Sequence, residues 1–220
     1  GIESYIQEAY PWSKTTFIAY GTDLSPTEFT KESEQVRTFF DKWAIEEKGY
    51  YLIIGRFVPE NNYARAICEF MASETKRDLV IVCNYEGSSY FEQLRQETHF
   101  DNDSRIKFVG TVYDKDLLKY LRQECRAYIH GHEVGGTNPS LLEALAQTNE
   151  NLVLGVDFNR KVALNTAHYW SKEPGSLTSI INQVDGQPES LNLGQAAKRH
   201  MQAHYTWEEI VRRYEDLFLK

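Results

Sequence analysis

Short apolar runs alternate along the chain with segments of helical periodicity. Residues 50–54 (Tyr-Tyr-Leu-Ile-Ile), 79–83 (Leu-Val-Ile-Val-Cys), 106–109, 127–130 and 152–156 are runs of four or five mostly apolar residues. Runs of that length bounded by Gly, Asn or Asp read as strands buried on both faces. Between them, residues 26–47, 61–71, 90–96, 115–124 and 139–146 place apolar side chains at helical spacing. In the first of these, Phe29, Val36, Phe39, Phe40, Trp43 and Ala44 make one stripe. From residue 157 the pattern reads as helices to the end. A shorter apolar run at 17–20 closes on Gly21, and a boundary falls at residues 21–27. Strand–helix alternation predicts an α/β fold: a doubly wound parallel sheet with right-handed crossovers.

Ligands of such sheets sit beyond the carboxyl ends of the strands. The residues after each run are therefore the candidates: 55–62, 84–87, 110–113, 130–143 and 157–160. Four of these five segments contain Gly, Asn or both, which suit turns and close backbone approach.

Composition narrows the classes. With 41% hydrophobic and 13% aromatic residues, the 220-residue chain has enough apolar side chain for a sizeable core. A net charge of −8 argues against holding a nucleic-acid backbone or an anionic membrane by bulk charge. Cys68, Cys83 and Cys125 have no metal-ligand spacing and read as buried, reduced thiols of a cytoplasmic protein. No metal cluster is expected. There is no signal peptide and no apolar run long enough to cross a bilayer. The chain opens at Gly1 rather than Met, as expected of a piece of a longer protein.

The densest chemistry lies in "HGHEVGGTNPSLLEAL", residues 130–145. Pro139 suits the first position of a helix, and Asn138 then becomes its cap. The first turn offers the amides of Ser140 and Leu141. Gly135 and Gly136 let the backbone turn further amides the same way. Amides at the positive end of a helix dipole make an anion site suited to phosphate. Glu143 lies one to two turns inside that helix, where a carboxylate accepts from sugar hydroxyls rather than meeting phosphate. Arg56 follows the strand at 50–54 on the same edge of the sheet, and a guanidinium clamps a diphosphate in bidentate fashion. These segments together point to a nucleoside-diphosphate site with hydroxyl recognition. A loop, a helix start and surface charges would explain the same residues without a ligand.

Four segments, "YLIIGRFVPENN", "RIKFVGTVYDKDLLKYLR", "YIHGHEVGGTNPSLLEALA" and "HYTWEEIVRRYEDLF", together resemble the C-terminal half of a retaining GT-B glycosyltransferase of family 4. The likeness is to bacterial rhamnosyltransferases that build cell-surface polysaccharide, and it covers nearly the whole chain. It implies a Rossmann-like domain that binds a nucleotide-sugar donor over residues 24–220. Residues 1–23 would be the exit from an N-terminal domain that binds a saccharide or lipid-linked acceptor. The donor implied is a dTDP- or UDP-sugar, with no cofactor and no metal. The implied location is cytoplasmic, with peripheral association of the full-length enzyme at the inner face of the membrane. The first 23 residues are too few for an acceptor half, so the resemblance implies donor binding without transfer by this chain alone.

The family's motifs map residue by residue. Gly55 and Arg56 match its Gly-Arg pair, and Arg56 would hold the diphosphate. Where the family has a phosphate-binding lysine, this chain has Asn61. Of two family glutamates separated by seven residues, Glu143 matches the second, which implies contact with ribose hydroxyls. The first falls on Gly135, with Glu133 two residues early as a substitute. The amides of Thr137, Asn138 and Ser140 match the phosphate-contacting turn. Val112 and Tyr113 would lie near the base, Glu86 and Gly87 at the donor rim, and His130 and His132 near the sugar or phosphate. Catalysis would rest on Glu143, Arg56 and Glu133. Two other classes fit the same architecture: a nucleotide-sugar epimerase, and a non-catalytic nucleotide-binding module.

Overall fold

A computed structural model describes residues 2–189 and 191–219. Gly1, Ser190 and Lys220 lie outside them, so the first residue of the expected remnant and the last of the expected donor domain do too. Six parallel strands form one sheet: β1 (Tyr50–Ile54), β2 (Asp78–Val82), β3 (Ile106–Gly110), β4 (Ala127–His130), β5 (Asn151–Leu154) and β6 (His168–Trp170). Their order is β3-β2-β1-β4-β5-β6, so the chain winds outward in both directions from β1 and β4. The doubly wound α/β reading is correct.

Both faces of the sheet are covered. On one, Tyr51, Ile53, Leu79, Ile81, Ala127 and Ile129 pack under helices α3 (Tyr63–Met71), α4 (Ser89–Thr98) and α8 (Ser176–Asp185). On the other, Tyr50, Leu52, Val80, Val82 and Tyr128 meet α2 (Glu34–Trp43) and α5 (Lys115–Glu124). Farther along, Val153 packs with α6 (Pro139–Gln147), α7 (Asp157–Ala163) and α9 (Leu191–His204). Successive strand residues alternate between these layers, which is why the runs are apolar throughout.

Several expectations need correction. The helix expected over 26–47 is only α2. The segment before it is held by side-chain contacts instead, as where Thr27 Oγ1 donates to Asp116 O at 2.8 Å. Ala44 ends α2 in the left-handed region, at φ 47. The 61–71 helix starts at Tyr63, after a 3-10 turn at Pro59–Asn61. β6 lies where only helices were expected: His168, Tyr169 and Trp170 form a three-residue edge strand, too short to give a period. Cys83 and Cys125 are buried, and desolvation pushes each thiol up to about 12. Cys68 is exposed, contrary to the expectation, because it faces outward from α3.

Residues 17–20 form no strand. Thr22 bridges to Thr206, and Gly21 sits so close to Trp207 that an added Cβ would lie 2.6 Å from the indole. These contacts tie residues 21 and 22, which follow α1 (Ile2–Ala9) in the chain, to the start of α10 (Trp207–Phe218). Both stretches leave aromatics in the open: Tyr5, Tyr10, Trp12, Phe17 and Tyr20 on one, Trp207, Tyr214 and Phe218 on the other. Among the described residues no helix is long and apolar enough to cross a membrane.

Candidate functional site

β1 and β4 pair at the centre of the sheet, and the chain leaves them toward opposite edges. Their following loops therefore diverge, and a cavity of about 460 Å³ opens at the switch point. Gly55, Arg56 and Asn61 line it from the β1 side. His130 and His132 line it from β4, and Asn138, Pro139, Ser140 and Glu143 from the start of α6. Gly131 lets the two loops meet: a Cβ there would lie 2.3 Å from the carbonyl oxygen of Asn61.

The α6 start follows from its sequence. Asn138 Oδ1 accepts from the Ser140 amide at 2.9 Å, with Pro139 at the first turn. The Leu141 amide donates to Asn138 O at 3.1 Å. The expected free amides of Ser140 and Leu141 are thus already used by the cap. Those of Gly136, Thr137 and Asn138 form no hydrogen bond within the described residues and remain available. Gly135, at φ 121, makes the turn that exposes them. The Ser140 hydroxyl donates to Ile54 O at 2.8 Å beside the Tyr128 hydroxyl, which donates to the same carbonyl at 2.8 Å. It therefore braces β1 against α6.

Arg56 is exposed at the mouth, and its side chain forms no hydrogen bond or ion pair within the described residues. Asn61 does not extend into the cavity as a lysine would. Its Nδ2 donates to Arg56 O at 2.6 Å, and its Oδ1 meets His132 Nδ1 at 2.6 Å. That pairing assigns the imidazole proton to Nδ1 and leaves Nε2 an acceptor, on the side of Gly135. Burial and then Arg56 hold His132 below the usual histidine range. His130 is buried, its Nε2 has no partner, and desolvation lowers its pKa to about 3. Both rings are neutral near pH 7.

The two glutamates are engaged. Glu133 pairs with Lys172 and accepts from Asn62 Nδ2 at 3.0 Å. It braces the loop and is not among the residues lining the cavity. Glu143, expected to face only ligand hydroxyls, is ion-paired through Oε2 with Arg122 of α5. Val112 and Tyr113 are not brought to this cavity. They line a separate hollow against α2, with Tyr113 88% exposed. Glu86 and Gly87 lie in another surface hollow.

Sequence reasoning missed Arg122, Leu118, Tyr128 and Tyr20, all of which line the cavity. Leu118, Arg122 and Cys125 share one helical face at spacings of four and three, a signal that Arg122 points inward. Nothing in the sequence marks Tyr20, which reaches the cavity from the segment assigned to another domain. Among the described residues no group of three or more His, Cys, Asp or Glu side chains is placed to hold a metal ion.

No sequence-family model and no curated protein matches the chain. Solved structures do. A glycosyltransferase from Rickettsia africae ESF-5 is 12% identical with a TM-score of 0.83, over 99% of this chain and 60% of that one. Sucrose-phosphate synthase from Thermosynechococcus elongatus is 17% identical at 0.78, over 98% and 55%. Anabaena Alr3699/HepE, in complex with UDP and glucose, is 14% identical at 0.79, over 94% and 57%. The chain thus spans roughly half of these proteins. Their likeness in fold, together with the sheet order and the switch-point cavity, makes this chain an α/β, Rossmann-like domain with the fold of the C-terminal half of GT-B glycosyltransferases.

Proposed function

We propose that this chain is the nucleotide-sugar donor domain of a glycosyltransferase. It binds a dTDP- or UDP-sugar with the diphosphate between Arg56 and the free amides of Gly136, Thr137 and Asn138. Glu143 accepts from the ribose. The observation that carries the reading is the convergence at the switch-point cavity of an uncommitted guanidinium and the N-terminus of α6 with the uncommitted Asn138 amide. Gly135, Gly136 and Thr137, in the turn just before it, are not among the lining residues, and the amides of the last two are also uncommitted. The bound UDP and glucose of a fold neighbour support it.

In the whole enzyme the sugar, which we assign as rhamnose from the sequence resemblance, passes with retention to a saccharide or lipid-linked acceptor of cell-surface polysaccharide. Departure of the nucleoside diphosphate builds negative charge on its phosphates. Arg56 and the amides stabilise that charge as it develops, which is where binding energy lowers the barrier. The acceptor half is absent from these 220 residues. They bind donor without transferring sugar, and restoring an acceptor half in the same chain restores transfer.

Calorimetric titration with UDP, dTDP, GDP, UDP-glucose and dTDP-rhamnose tests this. Pyrimidine diphosphates should bind and uridine alone only weakly. Absence of binding by every diphosphate would overturn the reading. Turnover of a nucleotide-sugar without acceptor would replace it with an epimerase.

A further inference from the structure

Arg122 has no part in the fold that its surroundings explain. It is 3% exposed, and its buried Nε has no partner. Its sole hydrogen-bond partner through the guanidinium, among the described residues, is Glu143. Arg105, which is half-buried, and Arg126, which is buried and also has one unpartnered nitrogen, differ in what they reach. Arg105 donates to Thr75 O at 2.5 Å and Met71 O at 3.3 Å, and Arg126 donates to Val184 O and, at 3.1 Å, to Gln187 O. Both reach backbone carbonyls of other segments, Arg105 while also paired with Asp103 two residues before it. Arg122 clamps one side chain, and that side chain stands at the cavity.

A buried ion pair adds little net stability, since apolar residues of similar volume often do as well. Its gain is geometric. Glu143 is 47% exposed in its side chain, and alone on the helix surface it would sample several rotamers. Arg122 stands on α5 between buried Leu121 and Cys125, so it is a fixed point. It takes Oε2 of Glu143 and leaves Oε1 without a partner at the cavity.

We infer that Arg122 is a positioning residue that holds the Glu143 carboxylate in place to receive the ribose hydroxyls of a nucleoside diphosphate. The inference rests on the donor-site reading above and names what selects the ribose within it. It also separates Arg122 from Arg56: one acts on the hydroxyls through Glu143, the other on the phosphates directly.

The experiment compares UDP with its 2′,3′-dideoxy analogue by calorimetry in the wild type and in Arg122→Met, Arg122→Lys, Glu143→Gln and the Met/Gln double variant. Wild type should prefer UDP by about tenfold or more, the size of a hydrogen bond to a charged acceptor. Arg122→Met should cut that preference to about threefold or less. The change should be within about twofold when Glu143 is already Gln, because coupled residues are non-additive. Affinity for the dideoxy analogue should be unchanged. A merely structural loss would weaken both ligands together and leave the ratio intact. If Arg122→Met does not fold, Arg122→Lys decides: it keeps the charge but not the reach, so the preference should still fall. UDP binding with the wild-type preference in a folded Arg122 variant overturns the role of Arg122 alone. Failure of UDP to bind the wild type overturns the donor-site reading and this inference with it.

Discussion

The two ends of the sheet use the same residue types for opposite purposes. At the amino end, charged side chains cross between elements and close on carbonyls or opposite charges. Lys107 reaches Trp43 O and Ala44 O, each at 2.8 Å, and Asp78 at 2.9 Å. Arg77 joins Asp185 at 2.8 Å and Lys48 O at 2.8 Å. Arg126 lies against Glu150, which also takes His168 at 2.9 Å. At the carboxyl end, Arg56 has neither hydrogen bond nor ion pair, His130 Nε2 is unpartnered, and three amides of the 136–138 turn are uncommitted. Polar groups that lock the crossovers are engaged by the protein, though Arg126 Nη1, 3.9 Å from Glu150, and Asn151 Oδ1 are buried there without a hydrogen bond. Those at the cavity are left without a protein partner, a pattern common at functional sites.

The sharpest way to break that contrast is at the amino end. Arg126→Met should lower the unfolding free energy by about 3–5 kcal/mol, because it leaves the buried Val184 O and the Gln187 O without their donor and removes the cation beside buried Glu150. Urea denaturation measures it. A loss below about 1 kcal/mol would mean that the amino-end network is not a lock.

Acid should act next, and at the carboxyl end. His130 has a folded pKa of about 3, while an unfolded histidine titrates near about 6.5. Between these values the unfolded chain binds the extra proton. Stability from this residue is therefore full above about pH 6.5 and is lost as pH falls toward 3. The loss between pH 7 and 5 is about 2 kcal/mol. His130→Asn should remove that part of the slope in denaturation curves at pH 7, 6 and 5. Equal slopes in the two proteins would show that the imidazole is solvated in the folded state.

Arg56→Ala is the converse test. Melting should hardly move, within about 0.5 kcal/mol, as for surface positions. UDP should bind about 1.5–3 kcal/mol more weakly, with uridine little affected. An equal loss for both ligands would remove Arg56 from the phosphates.

The smallest effect belongs to Glu133. Its pair with Lys172 is at the surface, so Glu133→Gln should cost under about 1 kcal/mol in stability. It should leave UDP affinity within about threefold by calorimetry, since its side chain serves Asn62 and Lys172. A tenfold loss of UDP binding would restore Glu133 to the place of the family's first glutamate.

The strands β1–β5, their parallel direction and the α6 cap were legible because each rests on local pattern: unbroken apolar runs alternating with helices, and Asn before Pro at a helix start. β6 was not, since three residues carry no period and its pairing with β5 is a long-range contact. At the site, Arg56 and Glu143 were legible from their place after a strand and within a helix. Arg122 was not, because its meaning depends on α5 and α6 packing side by side across 21 residues of sequence. Likewise Asn61 looks from sequence like a degraded phosphate ligand. Only the close approach of two loops at Gly131 turns it into the brace of His132.

What the sequence determined by itself was therefore the layer order, the edge of the sheet to inspect and the chemistry available there. These follow from periodicity, turn residues and caps, whose physics acts within a few residues. Which polar groups are engaged and which are free was decided only by tertiary structure. Hydrogen-bond partners such as Arg122 and Glu143, or Asn61 and His132, come from separate elements. Burial sets the charge of His130 through the packing of everything around it.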